Sequence, residues 1–133
     1  LQAIQIIEAK KGSKPRNQVI YQSNLASLYQ RTAKLAEAEA IYLRLEKNLG
    51  ASSPYYPGIL NSLGLLYVDV NQPVKAEDFL KRAGQIYKSK FGGENNPFFA
   101  KATADLGRFY RTAARYAEAE PLLTKALTIR EQT

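Results

Sequence analysis

The carboxylate pairs Glu37/Glu39 and Glu118/Glu120 are the side chains whose type and closeness come nearest to acid–base chemistry. Two residues apart on a helix, the members of each pair point in different directions, so neither pair can share one reacting atom. The sequence contains no histidine and no cysteine. That removes the histidine general base, the thiolate nucleophile, zinc sites of the usual kind and any disulfide. Gly92-Gly93 lacks the Lys-Ser/Thr that completes a phosphate loop. No catalytic residue, metal ligand or cofactor is therefore expected, and the chemistry left to this chain is recognition.

Charge sets the terms of that recognition. Nineteen Lys and Arg against twelve Asp and Glu give a formal charge of +7, which favours acidic partners and speeds encounter with them. The densest basic cluster is Lys10, Lys11, Lys14 and Arg16. It reads either as an anchor for nucleic acid or acidic lipid, or as a solvated turn, the better of the two readings. Lys81, Arg82, Lys88 and Lys90 are expected to face solvent. Nucleic-acid binding would want aromatic and basic side chains interleaved on one surface, whereas Tyr29, Tyr42, Tyr67 and Tyr110 recur at core positions; nucleic acid is disfavoured as a partner. There is no run of about 18 apolar residues, so no membrane span is expected. Leu1 to Ile7 lack the basic start and cleavage site of a signal peptide. With no methionine anywhere, the chain reads as a piece of a longer protein, expected in the cytoplasm.

The elements that must position these side chains follow from an internal repeat. Asn24-Leu25-Ala26-Ser27-Leu28-Tyr29, Ser62-Leu63-Gly64-Leu65-Leu66-Tyr67 and Asp105-Leu106-Gly107-Arg108-Phe109-Tyr110 align without gaps. In each copy an alanine follows thirteen residues after the leading leucine (Ala38, Ala76, Ala119). Then come Tyr42, Leu80 or Leu123, and Leu45, Ala83 or Ala126. Small residues stand where two helices approach and large ones fill the space between, so each copy is a helix, a turn and an antiparallel helix. The spacing predicts helices over 18–31 and 35–48, 56–70 and 73–91, and 98–112 and 116–132. Ala3 and Ile6 match the end of an earlier copy, with Lys10 to Arg16 as the following turn. The division is then 1–14 as the second half of a preceding repeat with its linker, and repeats at 15–52, 53–92 and 93–133. Pro121, one turn into the last helix, predicts a mild kink rather than a break. The second helix of the middle repeat is expected to be about one turn longer than that of the first.

These residues resemble the tetratricopeptide repeat family, and more closely its long-period branch typified by kinesin light chains. The likeness rests on Asn24-Leu25-Ala26-x-Leu28-Tyr29, Glu37-Ala38-Glu39, Glu118-Ala119-Glu120-Pro121-Leu122, Ala126-Leu127-Thr128-Ile129-Arg130-Glu131, and the Gly-x-x-x-Pro turns at Gly50–Pro54 and Gly93–Pro97. The chain departs from the family at the turn between paired helices, where the usual Gly is Ala33, Asn71 or Ala114. It departs also at Gln22, Leu60 and Thr103, where Trp is often found, and at Ser53 and Asn96, where His is common. The resemblance implies an all-α, right-handed superhelical solenoid of antiparallel helix pairs, with the first helix of each pair lining a concave groove.

The helical period then puts Asn24, Ser27 and Arg31 of the first repeat, Asn61, Leu65 and Val68 of the second, and Lys101, Asp105, Arg108 and Arg111 of the third on that groove. The expected occupant is a protein or peptide segment, acidic or mixed acidic and apolar. It would bury an apolar side chain on Leu65 and Val68 and give its carboxylates to Arg108 and Arg111. The plainer readings are a solvated face for the two arginines, helix packing for Leu65 and Val68, and a bond within the array for Asn24. Some family members hold a C-terminal carboxylate with a Lys, Asn and Arg clamp; only Lys101 matches, so that activity is not expected. Tyr55, Tyr56, Phe98 and Phe99 read as staples for the turns or as a lip of the groove. Leu122, Leu123, Leu127 and Ile129 leave the last helix apolar on more than one face. That suggests further repeats or self-association through this end.

Overall fold

A computed structural model describes residues 15–132, and the side chains of residues 18–131. The partial copy around Ala3 and Ile6, and the cluster Lys10, Lys11 and Lys14 with the Arg16 side chain, lie outside what is described. Helices α1 (Pro15–Arg31), α2 (Leu35–Asn48), α3 (Tyr56–Asp69), α4 (Pro73–Ser89), α5 (Pro97–Thr112) and α6 (Tyr116–Gln132) follow one another, with a 3-10 turn at Gly93–Asn95. No strand occurs among the described residues. The expected helices are all present, with shifted ends. α1 opens at Pro15, so Pro15 and Arg16 belong to its first turn and not to a linker; proline suits a first turn because its missing N–H is an orphan there anyway. α4 stops at Ser89, two residues before the expected Phe91, yet its 17 residues exceed the 14 of α2. α6 runs unbroken through Pro121. The chain divides into two compact units that part inside α3, between Ile59 and Leu60.

In the second unit, side-chain contacts give the helix directions. Gly64 faces Leu80 and Tyr67 stacks on Phe79, so α4 runs antiparallel to α3. Tyr110 meets Glu77 and Phe98 stacks on Tyr87, so α5 runs antiparallel to α4. Gly107 faces Leu123 while Lys125 lies over Phe99, so α6 runs back along α5. α3 and α5 are therefore parallel. A Cβ on Gly64 would lie 2.6 Å from the Leu80 side chain and 3.1 Å from its backbone nitrogen, and one on Gly107 would lie 2.9 Å from Leu123. Glycine is required at both by close approach. Leu60, Leu63, Leu66 and Leu80 are fully enclosed, each contributing roughly 1.5–3 kcal/mol by burial.

The turns within the pairs are three copies of one geometry. Ala33, Asn71 and Ala114 have φ of 63°, 59° and 61°. The next N–H donates back to the repeat tyrosine carbonyl at 2.8 Å each time: Lys34 to Tyr29, Gln72 to Tyr67 and Arg115 to Tyr110. This six-residue closure is the Schellman pattern, in which the left-handed residue satisfies a carbonyl at the helix end. The link from α4 to α5 is built differently. Phe91, Gly92 and Gly93 are successively left-handed, Asn96 Nδ2 donates to the Phe91 carbonyl at 3.0 Å, and Asn96 Oδ1 accepts from Phe98 N at 2.9 Å, capping α5 ahead of Pro97.

Alanine at φ near 60° is strained where glycine is not. Ala114→Gly is expected to raise stability by roughly 0.5–1 kcal/mol. The same exchange at buried, right-handed Ala126 should lower it by about 1 kcal/mol or more. Urea midpoints of the two variants check this, and a loss at both positions would contradict it.

Candidate functional site

On α5, Lys101, Asp105 and Arg108 form one cluster that meets Asn61 of α3. Asp105 is 5% exposed and Asn61 is 6% exposed. Asn61 Nδ2 donates to Asp105 Oδ2 at 2.9 Å, tying α3 to the neighbouring parallel helix. Lys101 Nζ, one turn earlier on α5, reaches the same Oδ2 at 2.8 Å, and the Arg108 guanidinium donates to Oδ1. The side chains of Lys101 and Arg108 are themselves half-exposed. A buried carboxylate is thus covered by two cations whose heads reach solvent.

Burial alone would push the Asp105 carboxyl up. Hydrogen bonds from Lys101 and Asn61, with the charges of Lys101 and Arg108, outweigh it and hold the group below its ordinary value. Asn61 Oδ1 is buried without a hydrogen-bond partner. The amide cannot turn over to relieve this, because its oxygen would then face the carboxylate. The Asn61 amide is thus oriented by the anion.

The other expected residues sort clearly. Leu65 is half-buried and Val68, one turn further along α3, is 37% exposed. Arg111 is exposed at the C-terminal end of α5 and makes no ion pair among the described residues. Because α3 and α5 are parallel and joined at Asn61 and Asp105, Leu65 and Arg108 each lie one turn beyond that bridge. Val68 and Arg111 lie one turn further still, so apolar and cationic side chains follow the two helices in step. In the first unit, α1 carries Asn24 and Arg31 exposed and Ser27 half-buried. Sequence reasoning put Asn61 and Asp105 on an open groove, whereas the structure encloses both.

Phe98, at the first turn of α5, is 58% exposed and stacks on Tyr87 with ring centres 6.2 Å apart, while Phe99 beside it is buried. Phe98 therefore fits both a staple and a lip. Tyr56 acts from α3 as a staple, its hydroxyl donating to Glu46 at 3.3 Å. A second polar network lies on the side of α4. Tyr110 donates to Glu77 at 2.7 Å, and Arg115 bridges Glu77 at 2.9 Å and Glu118 at 2.7 Å while lying 4.5 Å from the centre of the Tyr110 ring. The bonds from Arg115 and Tyr110 hold Glu77 below the ordinary carboxylate range, and burial, followed by the bond to Glu77, pushes the Tyr110 phenol up. No group of His, Cys, Asp and Glu able to hold a metal occurs among the described residues. No helix among them is long and apolar enough to cross a membrane.

Paired antiparallel helices closed by small-residue contacts define a helical-repeat module. The model of the tetratricopeptide repeat matches residues 55–132, and the chain belongs to that family. Over 131 residues it is 26% identical to Protein KINESIN LIGHT CHAIN-RELATED 1 of Arabidopsis thaliana, covering 95% of this chain and 21% of that protein. The crystal structure of BtubC (BKLC) from P. vanneervenii superposes with a TM-score of 0.77 at 24% identity, over 93% of this chain and 51% of that one. A putative kinesin light chain from Podosopora anserina, with nearly identical TPR-like repeats, gives 0.71 at 20% identity, over 98% and 64%. The chain thus spans about a fifth of the curated relative and between half and two thirds of these solved structures. The repeats are TPR and kinesin-light-chain-like, a class that generally mediates protein–protein interaction.

Asp105 and Glu77 both ionise more readily in the folded chain than unfolded. Their stabilisation is complete above the unfolded values and is lost as pH falls through the folded ones. The urea midpoint is expected to be level near neutrality and to drop below about pH 5. Asp105→Asn should lower the plateau and flatten part of the drop. An unaltered acid limb in that variant would remove Asp105 from the account.

Proposed function

We propose that the chain is a protein-binding module that takes an extended acidic or mixed acidic and apolar segment along α3 and α5. The observation that carries this reading is the Asn61–Asp105 bridge between the parallel α3 and α5, past which Leu65 and Val68 on one helix and Arg108 and Arg111 on the other follow at successive turns. An apolar side chain would cover Leu65 and the exposed part of Val68. Acidic neighbours would meet Arg111, which makes no ion pair among the described residues, and the solvent-facing donors of Arg108 and Lys101. In the first unit Asn24, Ser27 and Arg31 are proposed as partner contacts in their own right. Absence of histidine and cysteine, together with membership of a family typical of scaffolds, supports a non-enzymatic role. A cytoplasmic setting belongs to the same proposal, as does the division into repeats at 15–52, 53–92 and 93–133.

The test is a peptide array carrying leucine or aromatic anchors flanked by Glu, probed with the wild-type chain and with Val68→Asp and Arg111→Ala. Hits that weaken about tenfold in either variant support the site. Binding indifferent to both variants, or no hits above Gln-substituted controls, would reject it.

A second reading rests on the exposed face of α6. Leu127 is 59% exposed between buried Ala126 and Ile129, and Tyr116 is still more open. Such apolar exposure favours self-association through this helix. Sedimentation equilibrium is expected to show mass rising with concentration, and Leu127→Glu to abolish the rise. A monomer at every concentration would exclude this second reading.

A further inference from the structure

Two of the three cations of α5 are engaged before any partner arrives. Lys101 and Arg108 both rest on Asp105, which also receives Asn61, so three donors share two carboxylate oxygens. The cluster holds two positive charges and one negative, and the negative charge is the enclosed one. An incoming carboxylate would meet cations half-cancelled from behind, and would stand a few ångströms from a like charge that cannot move away. Asp105 cannot simply be given up by its neighbours either. The amide of Asn61 is oriented by it and leaves its own oxygen unpaired. The seat is built for an anion, and the chain supplies that anion itself.

We infer that Asp105 is a specificity-determining internal anion, which occupies Lys101 and Arg108 in the free protein and competes with a partner's carboxylates for them. This rests on the peptide-binding reading of the same surface. It adds that affinity for acidic segments is held down by a residue that makes no contact with the partner. A simple positioning role for Asp105, holding the two cations ready for a ligand, predicts the opposite sign when its charge is removed.

The experiment measures anisotropy of two labelled peptides, a leucine flanked by glutamates and its glutamine counterpart, with the folded state of each protein checked by circular dichroism. Asp105→Asn is expected to tighten the glutamate peptide about three- to tenfold, the scale of one unit charge removed at about 6 Å in a largely aqueous setting. The glutamine peptide should not change. Adding Lys101→Gln and Arg108→Gln to Asp105→Asn should cancel the gain, which a mere rise in net charge elsewhere would not explain. Should Asp105→Asn fold poorly, the double exchange Asn61→Leu with Asp105→Leu removes donor and acceptor together, a change that can be nearly neutral for stability; the same gain is expected from it. Wild-type binding of the glutamate peptide with equal or weaker binding by the charge-removed variants overturns the inference and leaves the peptide-binding reading standing. No binding by any of the proteins overturns both.

Discussion

The closeness of the paired helices is the constraint on which the rest of this structure depends. At Gly64 and Gly107 there is no room for a side-chain carbon, because Leu80 and Leu123 fill the space. At the matching place in the first pair stands Ala26, fully buried, with Tyr42 enclosed at the position equivalent to the two leucines. Close approach leaves little length for a turn. Each pair closes through one left-handed residue, with the repeat tyrosine carbonyl accepting the returning N–H. The same tyrosine side chains are drawn inside: Tyr67 and Tyr110 are almost fully enclosed, and Tyr110 ends its burial with a hydroxyl bond to Glu77. Small residue, tyrosine carbonyl and left-handed turn therefore recur in all three pairs, while Tyr29 of the first is only half-buried.

Most of this was legible in order along the chain. The spacing of leucine, small residue and alanine set helices whose observed ends differ from expectation by a few residues, the ordinary uncertainty of a helix boundary. The residues standing where the family has glycine, Ala33, Asn71 and Ala114, proved to be the left-handed ones, so the departure marks stored strain and not a different turn. The role of Asn96 was less visible. Its side chain both caps α5 and grips the Phe91 carbonyl, and that second bond exists only because three successive residues ahead of it turn left-handed.

The Asn61–Asp105 bridge was not legible from helical period, for a physical reason. A period argument divides one helix into an inner and an outer face relative to its own partner. The flank that meets the next pair belongs to neither. Asn61 and Asp105 lie 44 residues apart and occupy adjacent phases of the repeat, one step offset from each other. An amide and an acid at adjacent phases of successive repeats is the pattern that could have revealed them. Period alone likewise treats Lys101, Arg108 and Arg111 as equivalent, although two of them rest on Asp105 and the third does not.

Asp105 carries two demands that pull against each other. As a buried acceptor for Asn61 it helps hold α3 beside α5, and a charge so enclosed is tolerable only because Lys101 and Arg108 cover it. Those cations are also the ones a partner would need. In the proposed reading the balance between these two demands turns on a few half-exposed charges, Lys101 and Arg108 above all. Strengthening the internal pairs makes the frame firmer and the surface more neutral; weakening them does the reverse. Arg111, one turn beyond Arg108, makes no ion pair among the described residues, so its charge is not drawn into keeping the helices together.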